Sequence, residues 1–425
     1  MLKYFFTIFF VFAISISSQT IDTTKIKNVV EMQAQIDSLR STIYSLDSEL
    51  QNIKKNMVEG KTDVDQIIAL LNEEEVESIS ADTRSRRKRV DAILQAITER
   101  PGKLIFNGGA TAILNSGKNV SDKYSAATGS FDFYAHTSFG KGTLLFFDLE
   151  AIGGNGLDDH FNTFNGINGD AGSTQDTQGI DRLNILEAWA EFTIFDELFT
   201  ITAGKIDLTN YFDNNASAND ETMQFITNDF VNSGAFAVPS NSAGFRIKTT
   251  VDNRYHIQMS FVSADNSGKD IFDNIYKSAS IGYTFFPGSD FESNIRLYGF
   301  MHPLADNSTG WGVSFDEVLF GAYNIFARYG TNENKVAEYW GVKTAWSMGT
   351  RFVTKVFEQT TVLGIAYGEN KSSNQILEKE KLLEIYARVQ INKWTHISPH
   401  FQNIWNGAGS TEQYTIFGVR THFNF

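Results

Sequence analysis

The sequence has no cysteine, only 5 prolines among 425 residues, and no run of about 18 consecutive apolar residues. The absence of cysteine excludes disulfide bonds, thiolate zinc sites, iron–sulfur clusters and cysteine nucleophiles. The absence of a long apolar run argues against a membrane-spanning helix. Basic residues are also scarce, since 36 Lys and Arg stand against 50 Asp and Glu, for a formal net charge of −14. This balance argues against nucleic acid as a partner, because phosphate contacts need a basic surface.

Residues 1–18 have the pattern of an export signal. Lys3 precedes an apolar run from Tyr4 to Ile16, and the small and polar residues Ser15-Ile16-Ser17-Ser18-Gln19 follow. A basic start, a short apolar run and a small-x-small sequence are typical of a cleaved signal peptide. At about 13 residues the run is too short for a stable transmembrane helix, so an uncleaved anchor is the less favoured alternative. We therefore expect the mature chain to be exported.

Residues 22–80 predict a coiled coil. Apolar residues recur at alternating spacings of four and three, which is the heptad pattern of helices that pack against partner helices. A helix packed on its own globular body is the alternative. The mixed seam does not fix the number of strands; we expect a homo-oligomer, with a trimer favoured and a dimer as the alternative. The two seam positions are Val29, Ile36, Ile43, Leu50 and Met57, and Met32, Leu39, Leu46 and Ile53.

Residues 81–102 predict a basic linker with a short helix. The basic cluster consists of Arg84, Arg86, Arg87, Lys88 and Arg89, and it is followed by Val90, Ile93, Leu94 and Ile97 at helical spacing. Pro101-Gly102 ends the segment. The basic cluster is either a solvated helix face or a contact with an anionic surface, such as phospholipid head groups or a cell-wall polymer.

From residue 103 to the C-terminus, apolar and polar residues alternate with the period of a β-strand. In the last segment Phe417, Val419, Thr421 and Phe423 share one face, and Arg420 and His422 share the other; the same alternation recurs at 131–139, 186–194 and 383–391. A soluble β-sandwich with one wet face would explain this pattern. So would a barrel with a lipid-facing outside and a water-filled inside.

Several features favour the barrel. Aromatic residues cluster near strand ends, long polar connections alternate with short turns such as Pro287-Gly288-Ser289, and the chain ends in Phe425. We count about sixteen strands, and an even number suits a closed antiparallel barrel with both termini on the periplasmic side. The predicted fold is therefore an all-β transmembrane barrel at 103–425, preceded by an α-helical coiled coil. We expect the barrel to contact lipid in the outer membrane of a diderm bacterium, with the coiled coil in the periplasm.

The connection at 204–240 lacks strand periodicity and is dense in Asp, Asn and Gln, with Tyr211, Phe212 and Phe225 among them. Carboxylates and amides offer hydrogen-bond partners to sugar hydroxyls, and aromatic rings stack on the apolar faces of sugars. Folded into the barrel, residues 207–240 would narrow the pore; an ordinary surface loop is the alternative. The candidate constriction residues are Lys205, Asp207, Asp213, Asn215, Asn219, Asp220, Glu221 and Gln224, with Glu187, Glu191, Arg388 and Arg420 from inward strand faces.

The chain resembles the carbohydrate-selective porins of the OprB type. The resemblance lies in two blocks, one from Gly204-Lys205-x-Asp207 to Gln224-Phe225, and one formed by Glu384-Ile385-Tyr386-Ala387-Arg388-Val389-Gln390, Ile397-Ser398-Pro399, Asn406-Gly407-Ala408-Gly409 and the final Phe425. It covers roughly residues 104–425. The resemblance implies a sixteen-stranded outer-membrane porin that admits neutral sugars through a constriction of charged and polar side chains.

No enzyme, cofactor or metal site is expected. His396 and His400 are four residues apart, but Pro399 between them argues against a helical zinc pair. Asp213-Asn214-Asn215 begins like a calcium loop, but the glycine and the bidentate glutamate of such loops are missing. We therefore predict passive diffusion of small hydrophilic solutes such as sugars. A cation- or metal-permeable porin and a structural tether between outer membrane and cell wall are the alternatives.

Overall fold

The structure is a computed structural model that describes residues 102, 104–139, 142–171, 181–195, 198–265, 271–289, 291–319 and 322–425. The predicted signal sequence at 1–18, the coiled coil at 22–80 and nearly all of the basic linker at 81–102 lie outside the described residues. Among those that are described, no helix has the length and apolarity to cross a membrane.

Sixteen antiparallel strands form one closed barrel in which each strand pairs with its neighbours in sequence. The strand β1 pairs with β16 and closes the cylinder, and the backbone groups of Gly108 and Phe425 exchange two hydrogen bonds of 3.0 Å. Closure leaves no open sheet edge in the lipid. The strands are β1 (Leu104–Lys118), β2 (Lys123–Ser138), β3 (Thr143–Asn155), β4 (Arg182–Ile194), β5 (Phe199–Ile206), β6 (Ser242–Val251), β7 (Tyr255–Ser263), β8 (Ile275–Phe285), β9 (Ser293–His302), β10 (Ser308–Leu319), β11 (Tyr323–Asn332), β12 (Thr344–Val356), β13 (Gln359–Lys371), β14 (Glu380–Asn392), β15 (Thr395–Trp405) and β16 (Gln413–Asn424).

In the described parts of the connections between strands there are three short α-helices. They are α1 (Thr209–Phe212), α2 (Asn228–Val231) and α3 (Asn334–Trp340). Three-residue 3₁₀ turns lie at Leu157–Asp159, Pro303–Ala305 and Gly407–Gly409.

The two ends of the barrel differ in the length of their connections. The end that holds the start of β1 and the end of β16 has short turns, such as Asp252-Asn253-Arg254 and Phe357-Glu358, whose first two residues all have positive φ. Such left-handed pairs fit the twist of a tight hairpin. The opposite end carries the long connections at 156–181 and 207–241. Short turns mark the periplasmic end of an outer-membrane barrel, so β1 starts and β16 ends on the periplasmic side.

Alternation along each strand separates an apolar outside from a polar inside. On β16, Phe417 and Phe423 are 60% and 45% exposed, whereas Arg420 and His422 on the other face are 1% and 5% exposed. A sandwich would bury the phenylalanines against a second sheet. Here the phenylalanines remain exposed on the outer wall, and such exposure is favourable only when the wall faces lipid. The prediction of a sixteen-stranded barrel is confirmed.

Candidate pore constriction

The connection at 207–241 folds into the barrel and is buried there. Phe212, Phe225 and Phe230 are completely buried, and they pack with residues of the inner wall. Short polar side chains form the turns of this segment, which we call the inner loop. Asp207 accepts hydrogen bonds from the backbone N–H and the hydroxyl of Thr209, at 2.9 and 2.7 Å, where α1 begins. Such Asx turns explain why a sequence rich in Asp and Asn can fold compactly without strands.

Arg328 on β11 is the principal anchor of the inner loop. Its guanidinium donates hydrogen bonds to the backbone oxygens of Asp213, Ala218, Phe230 and Val231, at 2.5 to 3.1 Å. Its Nε atom lies 3.1 Å from Oδ2 of Asp213, and both side chains are fully buried. Burial raises the pKa of the Asp213 carboxyl, and the Arg328 charge partly offsets that rise. One side chain therefore ties together four points of the loop.

The strands β14 and β15 hold the middle of the inner loop. The carboxylate of Glu384 accepts hydrogen bonds from the backbone N–H groups of Ile226 and Thr227, both at 2.8 to 2.9 Å. The amide of Gln402 donates to the hydroxyl of Thr227 at 2.8 Å and to the backbone oxygen of Ile167 at 2.7 Å. A buried carboxylate with two N–H donors is a strong, charge-assisted contact.

The strand β16 holds the next turn of the loop. Arg420 donates to the backbone oxygens of Glu221 and Gln224, at 2.5 and 2.7 Å. Arg351 on β12 donates to the backbone oxygen of Ala216 at 3.4 Å. The inner loop is thus attached to the wall mainly through its own main chain.

The connection between β3 and β4 packs on the inner loop. The backbone N–H of Gly169 donates to the oxygen of Ile226 at 2.7 Å. Asp229 accepts hydrogen bonds from the amides of Asn165 and Asn370, at 2.7 and 2.9 Å. The same Asn370 nitrogen lies 3.0 Å from the carboxylate of Glu380 on β14. Burial raises the pKa of Asp229 to about 6.

The inner faces of β2 and β3 are acidic. Asp132, Asp148 and Glu150 lie there, and these two strands, which are described in full, carry no Lys or Arg on that face. The hydroxyl of Ser130 donates to the carboxylate of Asp170, and its Oγ atom lies 2.9 Å from Oδ1 and 2.8 Å from Oδ2. Burial raises the pKa of Asp170 well above its ordinary value, and the charge of Asp132 raises it further. Inner arginines lie on other strands: Arg246 on β6, Arg296 on β9, Arg328 on β11, Arg351 on β12, Arg388 on β14 and Arg420 on β16.

The structure places most of the predicted loop residues in contacts that shape the loop. Asn219 accepts a hydrogen bond of 3.0 Å from the N–H of Asn215 and donates one of 2.8 Å to the side chain of Gln224. Asn215 also donates to the hydroxyl of Ser314 and to the oxygen of Phe315 on β10, at 3.2 and 3.0 Å. Asp220 accepts hydrogen bonds from the backbone of Thr222 and Met223. Glu221 keeps a partly exposed side chain.

The predicted strand residues are distributed differently. Glu187 accepts hydrogen bonds from the indole of Trp189, the N–H of Asp207 and the amide of Asn210, at 3.0 to 3.3 Å. Glu191 pairs with Arg246 at 3.0 Å. Arg388 is buried on the inner face of β14.

The position of Lys205 contradicts the expectation that this residue lines the constriction. It pairs in register with Ala188, which shares the outer face of β4, and its Nζ donates to the oxygen of Ile185 at 2.5 Å. The sequence predicts Lys205 at the constriction because it belongs to the polar block that begins at Gly204. It lies within β5, which ends at Ile206, and alternation along that strand turns it outward.

Sequence reasoning missed Arg328, Arg351, Glu384 and Gln402 as anchors. Each lies at an inward position of an alternating strand, which is the one signal that could have selected them. Their partners are mostly backbone groups, and these carry no sequence signature.

Comparison with known proteins agrees with this geometry. Residues 348–425 match the model of the family described as "Carbohydrate-selective porin, OprB family". A protein of Aquifex aeolicus (strain VF5), described as uncharacterized, is 23% identical over 297 residues, which cover 70% of this chain and 84% of that protein. The high-pH structure of Pseudomonas putida OprB has a TM-score of 0.61 at 12% sequence identity, and the superposed region covers 79% of this chain and 97% of that one. The low-pH structure of the same protein has a TM-score of 0.54 at 12% identity, with 79% and 96% covered.

The barrel has the fold of the OprB structure, and its C-terminal strands match the OprB family model. The family match includes the second of the two sequence blocks, at 384–425, and stops short of the first, at 204–225. A closed barrel of this fold belongs in the outer membrane, where its apolar outside faces lipid. Both the matched family and the fold are those of channels rather than enzymes. Asp213, considered above as the start of a calcium loop, is paired with Arg328, and no cluster of metal-ligating side chains occurs within the described ranges.

Proposed function

We propose that the chain is an outer-membrane porin through which small hydrophilic solutes, above all carbohydrates, diffuse passively, and that the 207–240 segment narrows the path. The observation that carries this proposal is the inner loop, which is buried inside a closed barrel and bonded to side chains of β11, β12, β14, β15 and β16. A loop held at so many points leaves a constant aperture, which needs no energy input.

The chemistry of the partly exposed inner groups supports carbohydrates. Asp207 and Glu221 keep exposed carboxylate surface, and Glu187, Asn210 and Trp189 lie beside Asp207 in one hydrogen-bonded group. Carboxylates and amides replace the hydration of sugar hydroxyls with weak contacts at several sites, which are loose enough for release. The match of the C-terminal strands to a carbohydrate-selective family supports the same solute class.

Planar-bilayer conductance with a panel of sugars tests the proposal. We expect the purified protein to conduct ions and expect glucose or maltodextrin to reduce the current transiently. The double substitution Asp207→Asn and Glu221→Gln should weaken this block, whereas the outward Lys205→Gln should leave it unchanged. A current that no sugar alters would remove the carbohydrate claim and leave the pore.

A cation-permeable porin is the second candidate, and the acidic inner faces of β2 and β3 favour it. Asp132, Asp148 and Glu150 would attract cations and repel anions near the wall. Reversal potentials in asymmetric KCl separate the two candidates. Strong preference for K⁺ over Cl⁻ without sugar block supports the cation pore, and weak preference with sugar block supports the carbohydrate pore.

We also propose that residues 22–80 form a periplasmic coiled coil that joins copies of the chain, with a trimer favoured, and that the basic residues at 84–89 contact an anionic surface, either phospholipid head groups or a cell-wall polymer. The heptad spacing supports the first statement and the cluster of charge supports the second. Deletion of 22–80 distinguishes the roles. Detachment of the outer membrane with transport intact would support a tether, and loss of transport with unchanged envelope spacing would support an assembly role.

A further inference from the structure

An apolar groove lies on the outer wall of the barrel near its periplasmic end. It has a volume of about 410 Å³, and Leu104, Leu145 and Phe147 form its larger apolar walls. Its floor is formed by outward alanines of β2, β4 and β5: Ala135, Ala188, Ala190 and Ala203. The outer wall elsewhere carries large side chains at comparable depth, such as Leu297, Leu363 and Ile385. The groove is therefore a local depression in the outer wall.

The strand register shows how the groove runs. Leu104 pairs with Thr137, Thr137 with Leu145, Leu145 with Ala190, and Ala190 with Ala203. This row crosses from β1 to β5, which is about 19 Å at the usual strand spacing. Each of its residues lies a few positions from a periplasmic turn, so the groove lies where the lipid tails meet the periplasmic head groups.

The chain enters the barrel at one end of this groove. Leu104 is the first residue of β1 and also lines the groove. Just before it, Gly102 has a φ of +85° and donates its N–H to the oxygen of Ser138 at 2.6 Å. This bond holds Gly102 at the end of β2, so the chain upstream of Gly102 begins at the rim of the groove.

The sequence immediately upstream has a matching apolar face. Val90, Ile93, Leu94 and Ile97 recur at the spacing of one helix face, and Ile97 is only seven residues from Leu104. Seven residues reach about 23 Å at most, and eight helical residues are about 12 Å long. The connecting residues can therefore span the row of about 19 Å, and the helix is short enough to lie within it.

We propose that residues 90–97 dock as an amphipathic helix into this groove, with their apolar face on the four alanines. Small side chains allow a helix to approach the wall closely. The basic residues at 84–89 then lie at the level of the phospholipid head groups, where positive charge is favourable. The docked helix fixes the point at which the N-terminal region leaves the barrel.

Disulfide cross-linking of the full-length protein in outer membranes tests this docking, because the native chain has no cysteine. One variant combines Ile97→Cys with Ala190→Cys. Its matched control combines Ile97→Cys with Leu363→Cys, since Ala190 and Leu363 each lie four residues from the periplasmic end of their strand. We expect an intramolecular disulfide in the first variant at about tenfold or greater yield, because the bond forms only when the two Cα atoms approach within about 7 Å.

Three outcomes would overturn the proposal. Equal yields in the two variants would show that the segment has no fixed place on the wall. An intermolecular disulfide between two copies of a single Ala190→Cys variant would make the groove an interface between copies. Ready labelling of that single cysteine by a lipid-soluble maleimide would leave the groove to lipid. Ala203→Trp provides an independent measurement, because its indole should fill the groove and displace residues 90–97. Trypsin should then cleave faster after Arg89, and an unchanged cleavage rate would contradict docking.

Discussion

Removal of the Arg328 side chain should release the inner loop. Arg328→Met keeps the apolar length of the side chain but loses every donor. The loop then loses its contacts at Asp213, Ala218, Phe230 and Val231 in one step. The Asp213 carboxylate also loses the charge that compensates its burial.

The magnitude follows from the burial of both partners. Removal of one member of a buried ion pair costs about 3–5 kcal/mol, because the other charge is left uncompensated. Water that enters from the lumen can replace donors to some of the four carbonyls, so we add nothing for them. A loss of about 3–5 kcal/mol corresponds to about a hundredfold to a few thousandfold increase in the equilibrium constant for local opening of the loop.

Hydrogen exchange measured by mass spectrometry reports this opening directly. We expect amides between residues 213 and 231 to exchange faster in Arg328→Met by about that factor, with the strands unchanged. Bilayer recordings should show larger and noisier currents. Arg296→Met is the matched control. Arg296 pairs with Asp316 on the neighbouring strand β10 and acts on Asp213 less strongly than Arg328 does, so its loss should open the loop much less.

Two results would refute the reasoning. Exchange in 213–231 that equals wild type would show that the arginine does not hold the loop. The double variant Asp213→Asn and Arg328→Met provides the second check, because it leaves no uncompensated charge. If the double variant opens as much as or more than Arg328→Met alone, the buried ion pair is not the source of the effect.

Three further predictions concern the loop and the outer wall. Burial raises the pKa of Asp229 to about 6 from 3.8, so its contribution to stability is full below about pH 4 and is lost as the pH rises through 6. Loop exchange, corrected for intrinsic rates, should be slower at pH 5 than at pH 7.5. Asp229→Asn should reduce that difference without abolishing it, because Glu380 shares Asn370 with Asp229. Glu384→Leu removes the acceptor for two buried N–H groups. It should lower the free energy of local opening at 226–227 by about 1–3 kcal/mol per orphaned group and so speed hydrogen exchange there; an unchanged exchange rate would show that the loop does not depend on this carboxylate. Leu297 lies at the middle of the lipid-facing side of β9, and Leu297→Arg should lower the free energy of unfolding in liposomes by about 2–4 kcal/mol. Thr309→Arg, near the rim, should lower it by only about 0–1 kcal/mol, and equal losses in the two variants would contradict a lipid-facing wall.

The barrel could be predicted from the sequence because strand alternation is a local signal. On β16 the succession of Phe417, Arg420 and Phe423 already assigns the two faces, and the structure confirms them. Closure follows from the same signal together with an even strand count, because an open edge has no partner in lipid. The inner loop could be located as well, since it is the long segment in which this alternation stops.

The anchoring of the loop could not be predicted, because it joins residues about a hundred positions apart through the main chain. Arg328 looks like any inward arginine of a porin barrel, and its partners at Ala218 and Val231 are carbonyls that every residue has. Asn219 and Gln224 were selected for their polarity, yet they bond to each other and to the loop itself. Their polarity therefore indicated a loop, but it did not show whether each side chain points into the pore or bonds within the loop. Lys205 shows that polarity alone does not tell which face of a strand a side chain occupies.

Main-chain anchoring also explains how such a pore can change its solute without losing its shape. Arg420 holds the loop through the backbone oxygen of Glu221, while the side chain of Glu221 keeps exposed surface. Any residue at that position supplies the same carbonyl, so a substitution there alters the charge of the aperture without removing the bond. The same separation applies to Ala218 and Val231 beneath Arg328, which contribute carbonyls and no side-chain polarity. Attachment and selectivity therefore reside in different atoms of the same loop, and variants that retune sugar block should leave hydrogen exchange in the loop unchanged.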